Sequence, residues 1–390
     1  MYTLIKGAEV YSPEPLGKQD VLLAGSKIAA VGEGIEPPPA SAGKTNVVDA
    51  KGKMLVPGLI DSHVHIIGGG GEGGPHTRTP ELQLSEAVKA GITTVVGVIG
   101  TDGMTRSMPE LVVKARALET EGISCYCHVG NYHIPVRTVT GKIEDDMMLI
   151  DKIIGVGEVA VSDHRSSQPT TEELAKVASQ ARIGGMLSGK AGIVNVHIGE
   201  SGSRLDPLLQ VVNTTDIPIT SFCPTHVNRT EKLFEAGIEF AKRGGIIDFT
   251  TSTIPQFLEE GEVKAAAAVR RALAAGVPDD RLTMTSDGQG SLPEFNEKGE
   301  LTGLTVADVG SLHRALKEAV CLEKVRPEQA LKTVTRNPAE MLKLTDKGRV
   351  EAGCDADVLL LNDEWETDSL WAGGRCLMKE GEVLVKGTFE

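Results

Sequence analysis

MLVPGLIDSHVHIIGGGGEGG, residues Met54–Gly74, is the stretch that decides the fold. It opens on a short apolar run, turns at Pro57-Gly58, and carries Leu59-Ile60 into Asp61-Ser62-His63-Val64-His65. A glycine run and a lone acid, Glu72, follow. On an extended strand, residues two apart point to the same side. His63 and His65 therefore share one face, and Val64 turns to the other. Two neutral imidazoles one strand repeat apart can chelate a single metal ion. An H-x-H pair arises by chance in many chains. The preceding Pro-Gly-Leu-Ile-Asp sets this one apart from two packed or surface histidines.

The 390 residues around it exceed one small domain and fit a barrel of ordinary size plus a smaller module. Apolar residues are 40% of the chain, enough for a large core. The formal net charge of −14 disfavours nucleic acid as a partner, since its recognition needs a basic surface. It leaves a small charged substrate open, because local arginines can oppose the global charge. No apolar run approaches the ~20 residues that span a bilayer, so no membrane partner is expected. The start, Met1-Tyr2-Thr3-Leu4-Ile5-Lys6, lacks a basic region followed by an apolar signal core. Six cysteines, with no C-x-x-C pair, predict reduced thiols in a cytoplasmic protein.

Both ends of the chain read as short strands. Met1–Val10, Gln19–Leu23, Lys27–Val31 and Thr45–Asp49 alternate or carry β-branched residues, as do Asp357–Asn362 and Gly373–Val385. Strand edges need partners. The two sets are therefore expected to form one discontinuous β-sandwich domain from residues 1–55 and 346–390. Residues 56–345 alternate differently. Strands are predicted at 54–66, 93–99, 123–129, 157–163, 193–198, 219–225, 246–251 and 282–287. Helices are predicted at 81–90, 107–121, 145–155, 171–188, 205–214, 230–243 and 262–275, then 305–320 and 327–343. Eight strands, each followed by helix, predict an α/β fold of the (β/α)8 barrel type. A doubly wound open sheet is the alternative.

Chemistry in such barrels sits at the C-terminal ends of the strands. His63 and His65 end the first strand, His197 the fifth, His226 the sixth and Asp287 the eighth, and Glu158 lies in the fourth. Alternation points Glu158 inward with Ala160 and Ser162, against outward Val159 and Val161. It likewise turns Asn195 and His197 inward. A buried carboxylate is costly unless paired or metal-bound. Four histidines and two carboxylates at one barrel mouth make a site for two divalent ions, such as zinc.

Several segments carry a resemblance to a known family. They are Pro57–His65, Gly68–Gly74 with Glu72, Thr101-Asp102-Gly103, Tyr132-His133-Ile134-Pro135, Ser162-Asp163-His164-Arg165-Ser166, Pro224-Thr225-His226-Val227-Asn228-Arg229 and Ser286-Asp287-Gly288. Over nearly the whole length the chain resembles the amidohydrolase superfamily and, more narrowly, its isoaspartyl dipeptidase family. The resemblance implies a barrel with a small β-domain and a large homo-oligomer, an octamer. It implies a small dipeptide as substrate and metal-dependent hydrolysis of β-aspartyl dipeptides by a metal-activated hydroxide. His63 and His65 would hold one metal together with Asp287, and His197 and His226 the other. Asp287 would accept a proton during attack and deliver it to the departing amine. Tyr132 would stabilise the oxyanion. Glu72 suits the substrate ammonium, and Arg165 and Arg229 can each grip a carboxylate bidentately. Thr101 and Ser291 would line the aspartyl end.

One position departs from the family. Where it carries a lysine carboxylated by carbon dioxide, this chain has Glu158, shorter by roughly three bonds, on the order of 3–4 Å. Either the strand and metals shift so that Glu158 bridges, or one metal binds weakly. An inward acid among four histidines favours the bridge. His76, His128, His133, His164 and His313 are expected to be structural or to orient ligands. Other readings are a cyclic amidase of dihydroorotase or hydantoinase type, a D-aminoacylase-like deacylase, and a metal-free scaffold. Glu72 argues against the first and the full ligand set against the last.

Overall fold

In the computed structural model, residues 2–295 and 301–390 are described. Met1, placed by the sequence in the first strand, lies outside them. The strand Tyr2–Tyr11 pairs antiparallel with Pro15–Ala24, which pairs with Lys27–Gly32. Its other edge takes Thr45–Asp49 and Met54–Pro57, both parallel. Met54–Pro57 then pairs antiparallel with Val358–Leu361, and Thr367–Ala372, Arg375–Lys379 and Glu382–Val383 follow. The two ends of the chain thus share one nine-stranded sheet. Ile5, Val10, Val21, Leu23, Leu55, Val358, Leu360 and Trp371 pack together as its core.

Between these ends eight central strands are parallel. Leu59–Val64, Ile92–Gly97, Ser124–Val129, Ile153–Val161, Val194–Ile198 and Phe222–Thr225 pair in that order. Ile247–Thr250 and Leu282–Thr285 form a second parallel pair. The sheet is curled, and backbone bonds join its outer segments. Val227 N–H donates to Asp248 at 3.2 Å, and His65 N–H donates to Gly288 at 2.8 Å. All residues of Leu59–Val64, Ile92–Gly97 and Ile153–Val161 are buried. A strand covered on both faces reads as a near-continuous apolar run. Helices separate the strands, several of them stopped and started by local chemistry. Ser107, Thr170 and Thr230 each accept the N–H of the third helical residue, a cap typically worth ~1 kcal/mol.

Four predicted elements differ. The stretch 54–66 is two strands, because Gly58 N–H donates to Asp357 and Leu59 N–H to Gly91, handing the chain from one sheet to the other. The helix expected at 145–155 is Ile143–Leu149, and the β-branched Ile153-Ile154 opens the next strand. The helix expected at 305–320 starts later, because residues 301–306 are extended. They form a hairpin with Ser291–Phe295, and the helix begins at Ser311. The helix at 327–343 is two, Pro327–Val334 and Arg336–Met341, broken at Thr335.

Candidate metal centre and substrate pocket

Strand ends bring the polar residues together. His63 lies in the first central strand and His65 directly after it. Glu158 is in the fourth and His197 in the fifth. His226 and Asp287 follow the sixth and eighth, with φ of 62° and 56°. Left-handed backbone at non-glycine residues is sparsely populated and clusters at functional sites.

Glu158 sits at the middle, 1% exposed. Its Oε1 lies 3.0 Å from Nδ1 of His197 and 3.2 Å from Nε2 of His226. Its Oε2 faces Nε2 of His63 at 3.5 Å and of His65 at 3.9 Å. One carboxylate thus addresses all four imidazoles, two per oxygen. Oδ1 of Asp287 lies 3.1 Å from Nε2 of His65 and 3.5 Å from Nε2 of His63. Groups behind the imidazoles set their tautomers. Nδ1 of His63 donates to Oδ1 of Asn195 at 2.9 Å, which points Nε2 at the two carboxylates. Nδ1 of His226 is 2.6 Å from Oγ1 of Thr250.

The donor set fits divalent metal. His63, Glu158 and His226 form one compact group, and His63, His65 and Asp287 another, with ligand atoms within 4.8 Å in each. Nε2 of His63 and Oε2 of Glu158 are buried without a hydrogen-bond partner. Such orphaned atoms are costly unless a further partner takes them. Burial works against ionisation of Glu158, yet the His63 charge and the His197 and His226 contacts hold its carboxyl well below the usual range. Burial likewise opposes Asp287, which the His63 and His65 contacts also hold low. Burial, the largest cause, pushes His226 down to about 3.

Above this cluster opens a cavity of about 410 Å³. Its walls include Glu72, Thr101, Tyr132, Arg165, Arg229 and Ser291, together with His65, His197, His226 and Asp287. His63 and Glu158 lie outside the cavity lining. Glu72 gathers one end. Ser291 Oγ donates to its carboxylate at 3.1 Å, Thr101 Oγ1 at 3.4 Å, and Nη1 of Arg165 approaches to 3.4 Å. Tyr132 O–H stands 2.9 Å from Nδ1 of His197. Burial and then the Glu158 charge raise its hydroxyl well above the usual tyrosine range, so it remains a donor. Arg229 Nη1 bonds Glu262 at 3.4 Å, its Nη2 stands 3.8 Å from Asp287 Oδ2, and it stacks over Phe257.

Sequence reasoning missed three participants. Asp163 forks onto Nε and Nη2 of Arg165 at 3.0 and 2.8 Å. Arg165 therefore offers the pocket only its end-on edge, not the free fork expected of it. Glu262 anchors Arg229 from the segment after the seventh central strand, Ile247–Thr250. The hairpin of Ser291–Phe295 with Leu301–Val306 carries Ser291, Pro293 and Glu294 to the pocket. Asp163 lay inside the Ser162–Ser166 motif, and its two-residue offset from Arg165 was the available signal. Of the remaining histidines, His133 holds the Arg165 carbonyl at 3.0 Å, and His128 is buried in the third central strand.

Inward imidazoles and carboxylates at the strand ends of a curled parallel sheet define a hydrolase of the amidohydrolase class. Profiles described as amidohydrolase family match residues 46–109 and 211–388. The chain is 45% identical to the β-aspartyl dipeptidase of Fervidobacterium islandicum AW-1, solved in complex with β-Asp-Leu. That match covers 98% of both chains with a TM-score of 0.91. A dihydroorotase from Lactobacillus gasseri is 24% identical over 423 residues, covering 99% of this chain and 93% of the relative. An enamidase shares the fold, with a TM-score of 0.67 at 18% identity over 98% of this chain and 97% of that one. The protein belongs to the amidohydrolase family, and a β-aspartyl dipeptidase resembles it over nearly its full length.

Proposed function

We infer that the protein hydrolyses the isopeptide amide bond of β-aspartyl dipeptides. The observation that carries this reading is the Glu72–Arg165 pair facing the pocket above the Glu158 cluster. A β-aspartyl dipeptide carries one ammonium and two carboxylates. Its ammonium replaces Arg165 at Glu72, and its carboxylates take the end-on edge of Arg165 and the guanidinium of Arg229. Thr101 and Ser291 line the aspartyl end. This exchange of an internal ion pair for an external one rewards a zwitterion and penalises a substrate lacking either charge.

His63, His65 and Asp287 would hold one divalent ion, His197 and His226 another, with Glu158 between them. Divalent ions held there would supply Lewis acidity toward water and the amide carbonyl. The chain's own groups do the rest. Oδ1 of Asp287 is engaged by histidines, so Oδ2 is the atom that accepts a proton from the attacking water. The same oxygen returns it to the departing amine. Tyr132 O–H donates to the oxygen that gains charge in the transition state. The arginines and Glu72 hold the carbonyl in place, so binding energy becomes orientation.

The finer architecture follows the same reading. A closed (β/α)8 barrel at 56–345 accounts for strand ends converging on one mouth, with residues 1–55 and 346–390 as the β-sandwich domain. No described helix is long and apolar enough to cross a membrane. All six cysteines are free, which supports a reducing, cytoplasmic setting. Exposed Met148, Leu149, Ile183, Met186 and Leu187 lie on the packed helices Ile143–Leu149 and Thr171–Ser188, and support a homo-oligomer.

The test is hydrolysis of β-Asp-Leu beside α-Asp-Leu and dihydroorotate, with metal content measured in the same sample. Turnover of β-Asp-Leu alone is expected. Turnover of dihydroorotate without β-Asp-Leu would replace this reading with the cyclic amidase.

A further inference from the structure

One buried acid beside the site has no task in the reaction above. Asp163 follows the fourth central strand and is 7% exposed. Its Oδ1 accepts the backbone N–H of Arg165 at 2.7 Å and Nε at 3.0 Å. Its Oδ2 accepts Nη2 of Arg165 at 2.8 Å and lies 2.9 Å from Nε2 of His197. We propose that Asp163 is a positioning residue that ties the substrate-binding edge of Arg165 to the ring orientation of His197. The proposal rests on the roles given above to those two residues.

The geometry makes each half specific. The bond to the Arg165 N–H is a local turn that fixes the carboxylate before any substrate arrives. A carboxylate held on the side-on edge of a guanidinium fixes the plane of the whole group. The end-on edge is then presented toward Glu72, where Nη1 stands 3.4 Å from Oε1. On the other side, an acceptor at Nε2 keeps the proton of His197 there. Nδ1 becomes the lone-pair nitrogen, facing Oε1 of Glu158 at 3.0 Å and the Tyr132 hydroxyl at 2.9 Å. A carboxylate behind a ligating imidazole orients the ring and raises its basicity. Nη2 of Arg165 itself reaches only 3.5 Å from Nε2 of His197. Negative charge at Asp163 is what lets a guanidinium and an imidazole stand this close.

Two variants separate charge from shape. Asp163→Asn keeps the shape and loses the charge. Asp163→Glu keeps the charge and adds a methylene. On the purified full-length protein, zinc affinity is measured by chelator competition without substrate, and KM and kcat for β-Asp-Leu at saturating zinc. The Asn variant is expected to lose about 10–100-fold in zinc affinity. Its KM is expected to rise about tenfold, as one charge-assisted contact is misplaced. The Glu variant recovers part of both losses. A space-filling role reverses that order, because Asn is the isostere. The proposal is overturned by an Asn variant with zinc affinity or KM unchanged, or by a Glu variant worse than Asn. Should the Asn variant not melt cooperatively, the Glu variant decides. Zinc affinity within about tenfold of wild type supports the proposal, and a greater loss overturns it. The zinc arm uses no substrate, so wild-type inactivity on β-Asp-Leu would sink the functional reading without deciding this one.

Discussion

Glu72→Gln is the perturbation that probes substrate choice most directly. The Glu72 side chain is 7% exposed, and its carboxylate is approached by Ser291, Thr101 and Arg165 at 3.1–3.4 Å. Two of those donors are neutral hydroxyls, and the third is the guanidinium that a substrate ammonium displaces. A glutamine keeps the hydroxyl contacts and loses the charge. A hydrogen bond to a charged group contributes about 1.5–3 kcal/mol, which is about a 10- to 150-fold loss in kcat/KM. The loss is expected in kcat as well as KM, since a dipeptide shifted at its ammonium is also shifted at its carbonyl. The assay is a cycle over two enzymes and two substrates, β-Asp-Leu and its N-acetyl form. Wild type should discriminate between them by the same 10- to 150-fold or so, and Glu72→Gln should close most of that gap. Equal wild-type rates on the free and acetylated dipeptides, or a gap that survives in the variant, would refute the ammonium contact.

Asp287→Asn should fold normally yet lose about 10²–10⁴-fold in turnover, checked by kcat with bound metal quantified alongside; more than roughly a tenth of the wild-type rate with full metal would count against the proton role. Glu158→Gln should release at least one metal, read by elemental analysis of the purified variant. The wild-type apo-protein should regain activity with zinc alone in buffer stripped of carbon dioxide, because Glu158 brings its own carboxylate, and a bicarbonate requirement would overturn that. Burial holds His313 below its ordinary pKa, against the pull of Glu366. A depressed imidazole favours the neutral folded form, so its stabilisation is full above its unfolded pKa of about 6.5 and is lost as pH falls below it. The melting temperature should drop from about pH 7 to pH 5, and His313→Gln should lessen the drop.

The parts of the fold legible in the sequence are those with a strong period. Val194–Ile198 and Leu282–Thr285 were found close to their limits, because a short apolar run bounded by turn residues leaves little freedom. Where the reading failed, distant partners decided. Gly58 breaks the run 54–66 because its N–H is claimed by Asp357, nearly 300 residues away in the chain. A side chain there would also meet Thr93, with Oγ1 only 2.3 Å from the added carbon. The hairpin of Ser291–Phe295 and Leu301–Val306 was missed because its two arms pair with each other and join no larger sheet among the described residues, and the helix expected from residue 305 begins at Ser311. Nothing local separates such a strand from the start of that helix.

The site divides along the same line. Alternation turns Glu158 and His197 to one side of their strands, and this much needs only a period of two. Reach does not follow from period. Counting bonds from the backbone, Glu158 ends about 3–4 Å short of a carboxylated lysine. Yet both its oxygens stand 3.0–3.9 Å from imidazole nitrogens. The deficit is met by where the histidines sit: His226 takes a left-handed backbone at φ 62°, and His63 is steered by Asn195 on another strand. Asp163 makes the same point from the opposite direction. Its offset from Arg165 is visible in sequence, but its contact with His197 crosses between strands and ties the substrate-binding Arg165 to the metal centre. A replacement at 158 is therefore best judged with its neighbours. Glu158→Lys in this frame would bring a cation among four imidazoles without the surrounding space that a longer ligand needs. It should lose metal even when carbon dioxide is abundant, and recovery of two tightly held ions in bicarbonate would show that the frame is not built around the shorter acid.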